Sequence, residues 1–120
     1  MNIIFMGNPQ FAVPSLELLV KNGIRIKAVV TDPPKKSGRG RSEREQPVAE
    51  IANQIGLPLL QPTSLSDPNF IDSIRSINPD LVLVVAFKIL PSKLLSIPTI
   101  GSVNLHASLL PAYRGAAPIQ

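Results

Sequence analysis

The chain carries a single histidine, His106, with an asparagine two residues before it, Asn104. Strand side chains alternate between faces, so residues two apart share one. An amide that can donate to an oxyanion, beside an imidazole that can carry a proton near neutral pH, suits acyl transfer through a tetrahedral intermediate. The same spacing equally fits a strand end whose two polar groups hydrogen-bond nearby backbone, and spacing alone leaves both open. With no cysteine and no second histidine to complete a ligand set, no metal is expected.

A second group of residues is set apart by charge. Residues 35–44 (KKSGRGRSER) hold five basic side chains, Lys35, Lys36, Arg39, Arg41 and Arg44, against the one acid Glu43. That surplus equals the whole formal net charge of +4, so the rest of the chain is neutral. A concentrated patch of this kind attracts polyanions. Gly38 and Gly40 flank Arg39 and leave the backbone free to mould onto phosphates. A solvated, mobile loop is the other reading, and no aromatic residue lies there to stack on bases. Gly7 follows the first apolar run, but GxGxxG is missing, so a dinucleotide fingerprint is unsupported and a tight turn is expected.

The elements that must position these groups follow from periodicity and breakers. At 120 residues, 44% hydrophobic and 17% charged, the chain makes one folded globular domain over residues 1–120. The lack of cysteine suits a reducing cytoplasm. No signal-peptide pattern opens the chain and no stretch is long enough to span a bilayer, so a cytoplasmic protein without membrane contact is expected.

Residues 2–6 (NIIFM) read as a buried strand ending at Gly7. A helix runs from Pro14 to a stop at Gly23, and residues 24–31 form a second strand. This is a βαβ unit with parallel strands. Residues 32–46 lack periodicity and read as an exposed loop. A helix over residues 47–55 ends at Gly56, residues 57–60 form a short strand, and Asp67-Pro68 starts a helix reaching Ile77. Residues 81–86 (LVLVVA) are apolar throughout, as a strand buried on both faces should be. A short helix over 91–95 and a fifth strand over 100–106 follow, with Val103 and Leu105 packing opposite the Asn104 face. The order predicts a doubly wound, mostly parallel α/β sheet. In such sheets ligands bind outside the carboxyl ends of the strands. Residues 7–10, the basic loop, residues 87–91 and everything from Asn104 onward fall on that rim.

The run NLHASLLPAYRGAAPIQ (residues 104–120) resembles the signature of the folate-dependent formyltransferase family, in which N-x-H, S-L-L-P and a following R-G recur. FMGNPQFAVPSL, the SGRG loop, QPVAEIA and GLPLLQP resemble the branch of that family acting on methionyl-tRNA. The resemblance covers essentially the whole chain in order. It implies a Rossmann-like formyltransferase fold and transfer of a formyl group from 10-formyltetrahydrofolate to the α-amino group of methionine on initiator tRNA. Asn104 and His106 match the catalytic Asn and His. Ser108, Leu109, Leu110 and Pro111 match the folate-contacting turn, and Phe87, Lys88, Ile89 and Leu90 match the segment lining the pterin pocket. Arg39 matches the Arg of the flexible loop that enters the acceptor stem, with Lys35, Lys36, Arg41 and Arg44 as its basic company. A monomer is expected.

Two departures stand out. Where many relatives read Ala-Tyr-Gly and one further residue before Ile-Leu-Pro, this chain reads AFKILP, one residue shorter and with Lys88 in place of Gly. The family's catalytic triad also ends in an Asp some tens of residues past its His, whereas fourteen residues follow His106 here. The chain is therefore expected to be the N-terminal part of such an enzyme, without its C-terminal tRNA-binding domain and with little activity alone. A formyltransferase for a small amine (a nucleotide sugar or glycinamide ribonucleotide) and a non-catalytic folate- or RNA-binding remnant are the competing expectations.

Overall fold

A computed structural model describes residues 1–36 and 43–105. Strand β1 (Ile3–Gly7) is buried along its whole length, as its apolar, β-branched run predicts. A 3-10 turn (Gln10–Ala12) leads into helix α1 (Val13–Lys21), which has Pro14 in its first turn. Strand β2 (Ile26–Val30) pairs parallel to β1 and completes the first βαβ unit. Strands β3 (Lys35–Lys36) and β4 (Glu43–Arg44) follow, then helix α2 (Pro47–Ile55). Pro47 starts α2 where a missing N–H costs nothing, and Gly56 ends it at φ 78°, a left-handed cap glycine adopts freely. Strand β5 (Leu59–Leu60) precedes helix α3 (Pro68–Ile77), whose Asp67 side chain accepts a bond from the Asn69 N–H. Strand β6 (Leu81–Val85), helix α4 (Ser92–Leu95) and strand β7 (Gly101–Leu105) complete the order.

The main sheet has the strand order β5-β2-β1-β6-β7, and every pairing in it is parallel. The period-2 alternation of β1 sends its side chains into two separate cores. Ile4 and Met6 meet Phe70, Ile71 and Ile74 of α3 and Leu94 of α4. Ile3 and Phe5 meet Val13 and Leu16 of α1 and Val48 and Ala52 of α2. Helices on both faces of a parallel sheet make this the doubly wound α/β architecture predicted above. The strand order reverses between β1 and β6, so the crevice where ligands settle opens above those two strand ends.

Three expectations need correction. Residues 32–46 are not wholly irregular: β3 and β4 form an antiparallel ladder with Lys35 opposite Arg44 and Lys36 opposite Glu43. A two-rung ladder of charged residues has no hydrophobic period to betray it. Val103 and Leu105 are 42% and 40% exposed instead of packed, because β7 is the edge strand among the described residues and the α1–α2 layer lies over β1, β2 and β5. For the same reason Leu81 and Leu83 of β6 are only half-buried. The third strand shrinks to Leu59–Leu60 from the expected 57–60, pairing only with Val29 and Val30.

Gly7 serves a close approach. A Cβ placed there would lie 2.5 Å from the Val85 carbonyl oxygen, so only glycine lets the ends of β1 and β6 stand as they do.

Candidate active site at the carboxyl edge

Asn104 stands near the end of β7, in register with Val84 of β6. It lines a cavity of about 210 Å³ with Ser102, Val84, Leu95 and the segment Lys88, Ile89 and Leu90. Two sets of residues singled out in the sequence, the strand-end amide and residues 88–90, are therefore neighbours. Phe87, half-buried, packs instead against the core beneath α3 and α4. Leu90 is buried, whereas Ile89 is 94% exposed, a large apolar side chain with little cover at the cavity wall. The lining is mostly apolar, and its polar residues are Asn104, Ser102 and Lys88, whose amine is turned to Asp32. Few polar groups on apolar walls is the make-up of a small-molecule site.

Ser102 was not singled out from the sequence. Its Oγ is buried with no hydrogen-bond partner among the described residues, and the residue lines the cavity. The available signal was position: Ser102 precedes Asn104 by two and shares its strand face.

The basic residues mark a second opening on the same rim. Lys35, Lys36 and Arg44 line a cavity of about 400 Å³ with Pro9, Gln10, Glu45, Gln46 and Pro47. The foot of the β3–β4 ladder is held by amides. Gln61 Nε2 donates to Glu45 Oε1 at 2.7 Å, to Thr31 Oγ1 at 3.1 Å and to the Asp32 carbonyl at 3.2 Å. Gln46 Nε2 donates to the Pro33 carbonyl at 3.1 Å. The exposed cations thus stand on a fixed base.

Between the two openings lies a polar bridge. Asn8, just past β1, donates from Nδ2 to Asp32 Oδ2 at 3.0 Å, and its Oδ1 accepts from the Asp32 N–H at 2.7 Å. Lys88 Nζ lies 2.8 Å from Asp32 Oδ1. This oxygen makes no aligned hydrogen bond, so the contact with Lys88 is one of charge. His106, Ser108, Leu109, Leu110, Pro111, Arg39 and Arg41 lie outside the described residues. Among the described residues no cluster of three or more His, Cys, Asp or Glu side chains could hold a metal. None of the described helices is long and apolar enough to cross a membrane.

With this geometry in view, comparison with known proteins is decisive. The family model described as formyl transferase matches residues 1–120. The chain belongs to the formyl transferase family. It is 54% identical to a methionyl-tRNA formyltransferase of Thermodesulfovibrio yellowstonii over 98% of its own length and 39% of that relative. Identity is 50% to one from Ruminiclostridium cellulolyticum and 51% to one from Citrifermentans bemidjiense. In each case 99% of the chain is covered, and 38% of the relative. The chain thus spans under two-fifths of these curated relatives and matches their N-terminal portion. A formyltransferase of this family calls for a folate-derived formyl donor, and the apolar cavity beside Asn104 has a make-up that fits one.

Proposed function

We propose that the protein carrying this chain transfers the formyl group of 10-formyltetrahydrofolate to the α-amino group of methionyl initiator tRNA in the cytoplasm, as a monomer. The observation that carries the reading is the cavity shared by Asn104 and residues 88–90, two segments that the family resemblance assigns to one reaction. The methionyl amine attacks the formyl carbon, and the carbonyl oxygen becomes an oxyanion. Asn104 donates from its amide to that oxyanion. Neutral His106 takes the proton leaving the amine and returns it to N10 of the folate as the C–N10 bond breaks. Ser108, Leu109, Leu110 and Pro111 take their place against the folate beside residues 88–90. Lys35, Lys36, Arg39, Arg41 and Arg44 meet the phosphates of the acceptor stem.

The competing acceptor is a small amine. The exposed cations around the 400 Å³ opening favour tRNA, since a small acceptor has no use for a row of backbone-reading charges. The test supplies the whole gene product with labelled 10-formyltetrahydrofolate and offers methionyl initiator tRNA or small primary amines. Label is expected on the tRNA, with activity falling steeply as salt rises. Preferential labelling of a small amine would overturn the assignment.

A further inference from the structure

The crevice at the reversal point between β1 and β6 is crossed by one ion pair among the described residues, Lys88 with Asp32. Asp32 follows β2 and Lys88 follows β6, and β1 runs between those two strands. Asn8, at the end of β1, holds Asp32 from beneath through both of its amide atoms. The aspartate is thus fixed in place, and the lysine is the member that reaches. It does so from a turn that needs an anchor: Ala86 sits at φ 53°, a left-handed conformation that residues with a Cβ rarely adopt. Two residues on, Lys88 supplies that anchor. Lys88, Ile89 and Leu90 then form one wall of the Asn104 cavity, whereas Asp32 does not line it. Asp32 also accepts at its carbonyl from Gln61, which holds the foot of the basic ladder.

We propose that Lys88 is a positioning residue: its charge contact with Asp32 holds residues 88–90 as the cavity wall and thereby sets affinity for the formyl donor. The proposal rests on reading that cavity as the donor site. It makes Asp32 act on a ligand it does not touch, through one side chain only.

A thermodynamic cycle on the whole gene product tests this, with Asp32→Asn, Lys88→Met and the double variant. The probe is 5-formyltetrahydrofolate, whose formyl group sits on the wrong nitrogen for transfer. The carboxamide of Asp32→Asn keeps an oxygen for Asn8 and turns an uncharged NH2 toward Lys88. Its binding is expected to weaken roughly three- to fivefold when Lys88 is present, the scale of a partly exposed ion pair. No further weakening is expected in the Lys88→Met background, and the loss should fade by about 1 M salt, where screening acts over ~3 Å. Equal weakening in both backgrounds, or weakening that survives high salt, would make Asp32 a general stability residue and overturn the proposal. Unchanged binding in Asp32→Asn would overturn it too. Failure of the unsubstituted protein to bind the probe would remove the donor-site reading itself. Should a single variant not fold, the exchange of Asp32→Lys with Lys88→Asp must restore probe binding for the proposal to stand.

Discussion

The two ends of the sheet are built from the same residue types and treat them in opposite ways. At the amino edge Asn2, Asp80 and Thr99 are matched with one another and with nearby backbone. Asn2 donates its N–H to Asp80 Oδ2 at 2.7 Å and its side-chain amide to the carbonyls of Ile77 and Asn78 at 3.1 and 3.0 Å. Thr99 donates to Asp80 Oδ1 at 2.8 Å. One carboxylate and one amide thus bind together the starts of β1, β6 and β7. At the carboxyl edge Ser102 Oγ has no partner among the described residues, Asp32 Oδ1 meets a charge without an aligned hydrogen bond, and Ile89 stands exposed. Saturated hydrogen bonding stabilises, whereas unmatched groups around an apolar cavity leave capacity for a ligand. Matched polar groups tie one edge together, and unmatched ones leave the other open to a ligand.

Substitutions should separate the two edges, and the largest effect belongs to the carboxyl one. Asn104→Ala is expected to lower kcat by roughly 10²–10³, the usual loss of an oxyanion donor, with the thermal midpoint nearly unchanged. Steady-state kinetics beside thermal melts of the same variant check both halves. Gly7→Ala is expected to cost about 1–3 kcal/mol in chemical denaturation, because its Cβ meets a backbone carbonyl that cannot swing aside. It lies at the carboxyl edge, so donor binding should weaken along with stability. Asn2→Ala should do the reverse: a loss of about 1–2 kcal/mol from two abandoned carbonyls, with KM for the donor unchanged. Lys36→Glu should lower the log–log salt slope of tRNA binding by roughly 1 if that lysine meets one phosphate, with donor affinity untouched.

The smallest effect concerns acid. The Asn2 N–H, and after it the Thr99 hydroxyl, hold the Asp80 carboxyl below its ordinary value of 3.8. A depressed carboxylate contributes fully above its unfolded pKa and loses that contribution as pH falls through the folded one. Stability should therefore drop slightly below about pH 3.8 in the native protein, and this step should be absent in Asp80→Asn.

Much of the fold was legible in the sequence because local chemistry marks it. Pro47 and Gly56 bracket α2, Asp67-Pro68 opens α3, and the alternation in NIIFM divides one strand between two cores. The rim was legible for the same reason, since the unusual segments each follow a strand. What stayed hidden depends on distance along the chain. Asn8 meets Asp32 and Asp32 meets Lys88 only once the strand order is known, and no period links such positions. The β3–β4 ladder escaped because its four residues are all charged, and the exposure of Val103 and Leu105 because alternation cannot tell an edge strand from a central one.

The claim that the carboxyl edge is the ligand site is tested most directly by amide chemical shifts on titration with 5-formyltetrahydrofolate. Shifts are expected at Val84, Lys88, Ile89, Leu90, Ser102 and Asn104, with Asn2, Asn78, Asp80 and Thr99 still. Saturable shifts concentrated at the second group, with the first unmoved, would contradict the account.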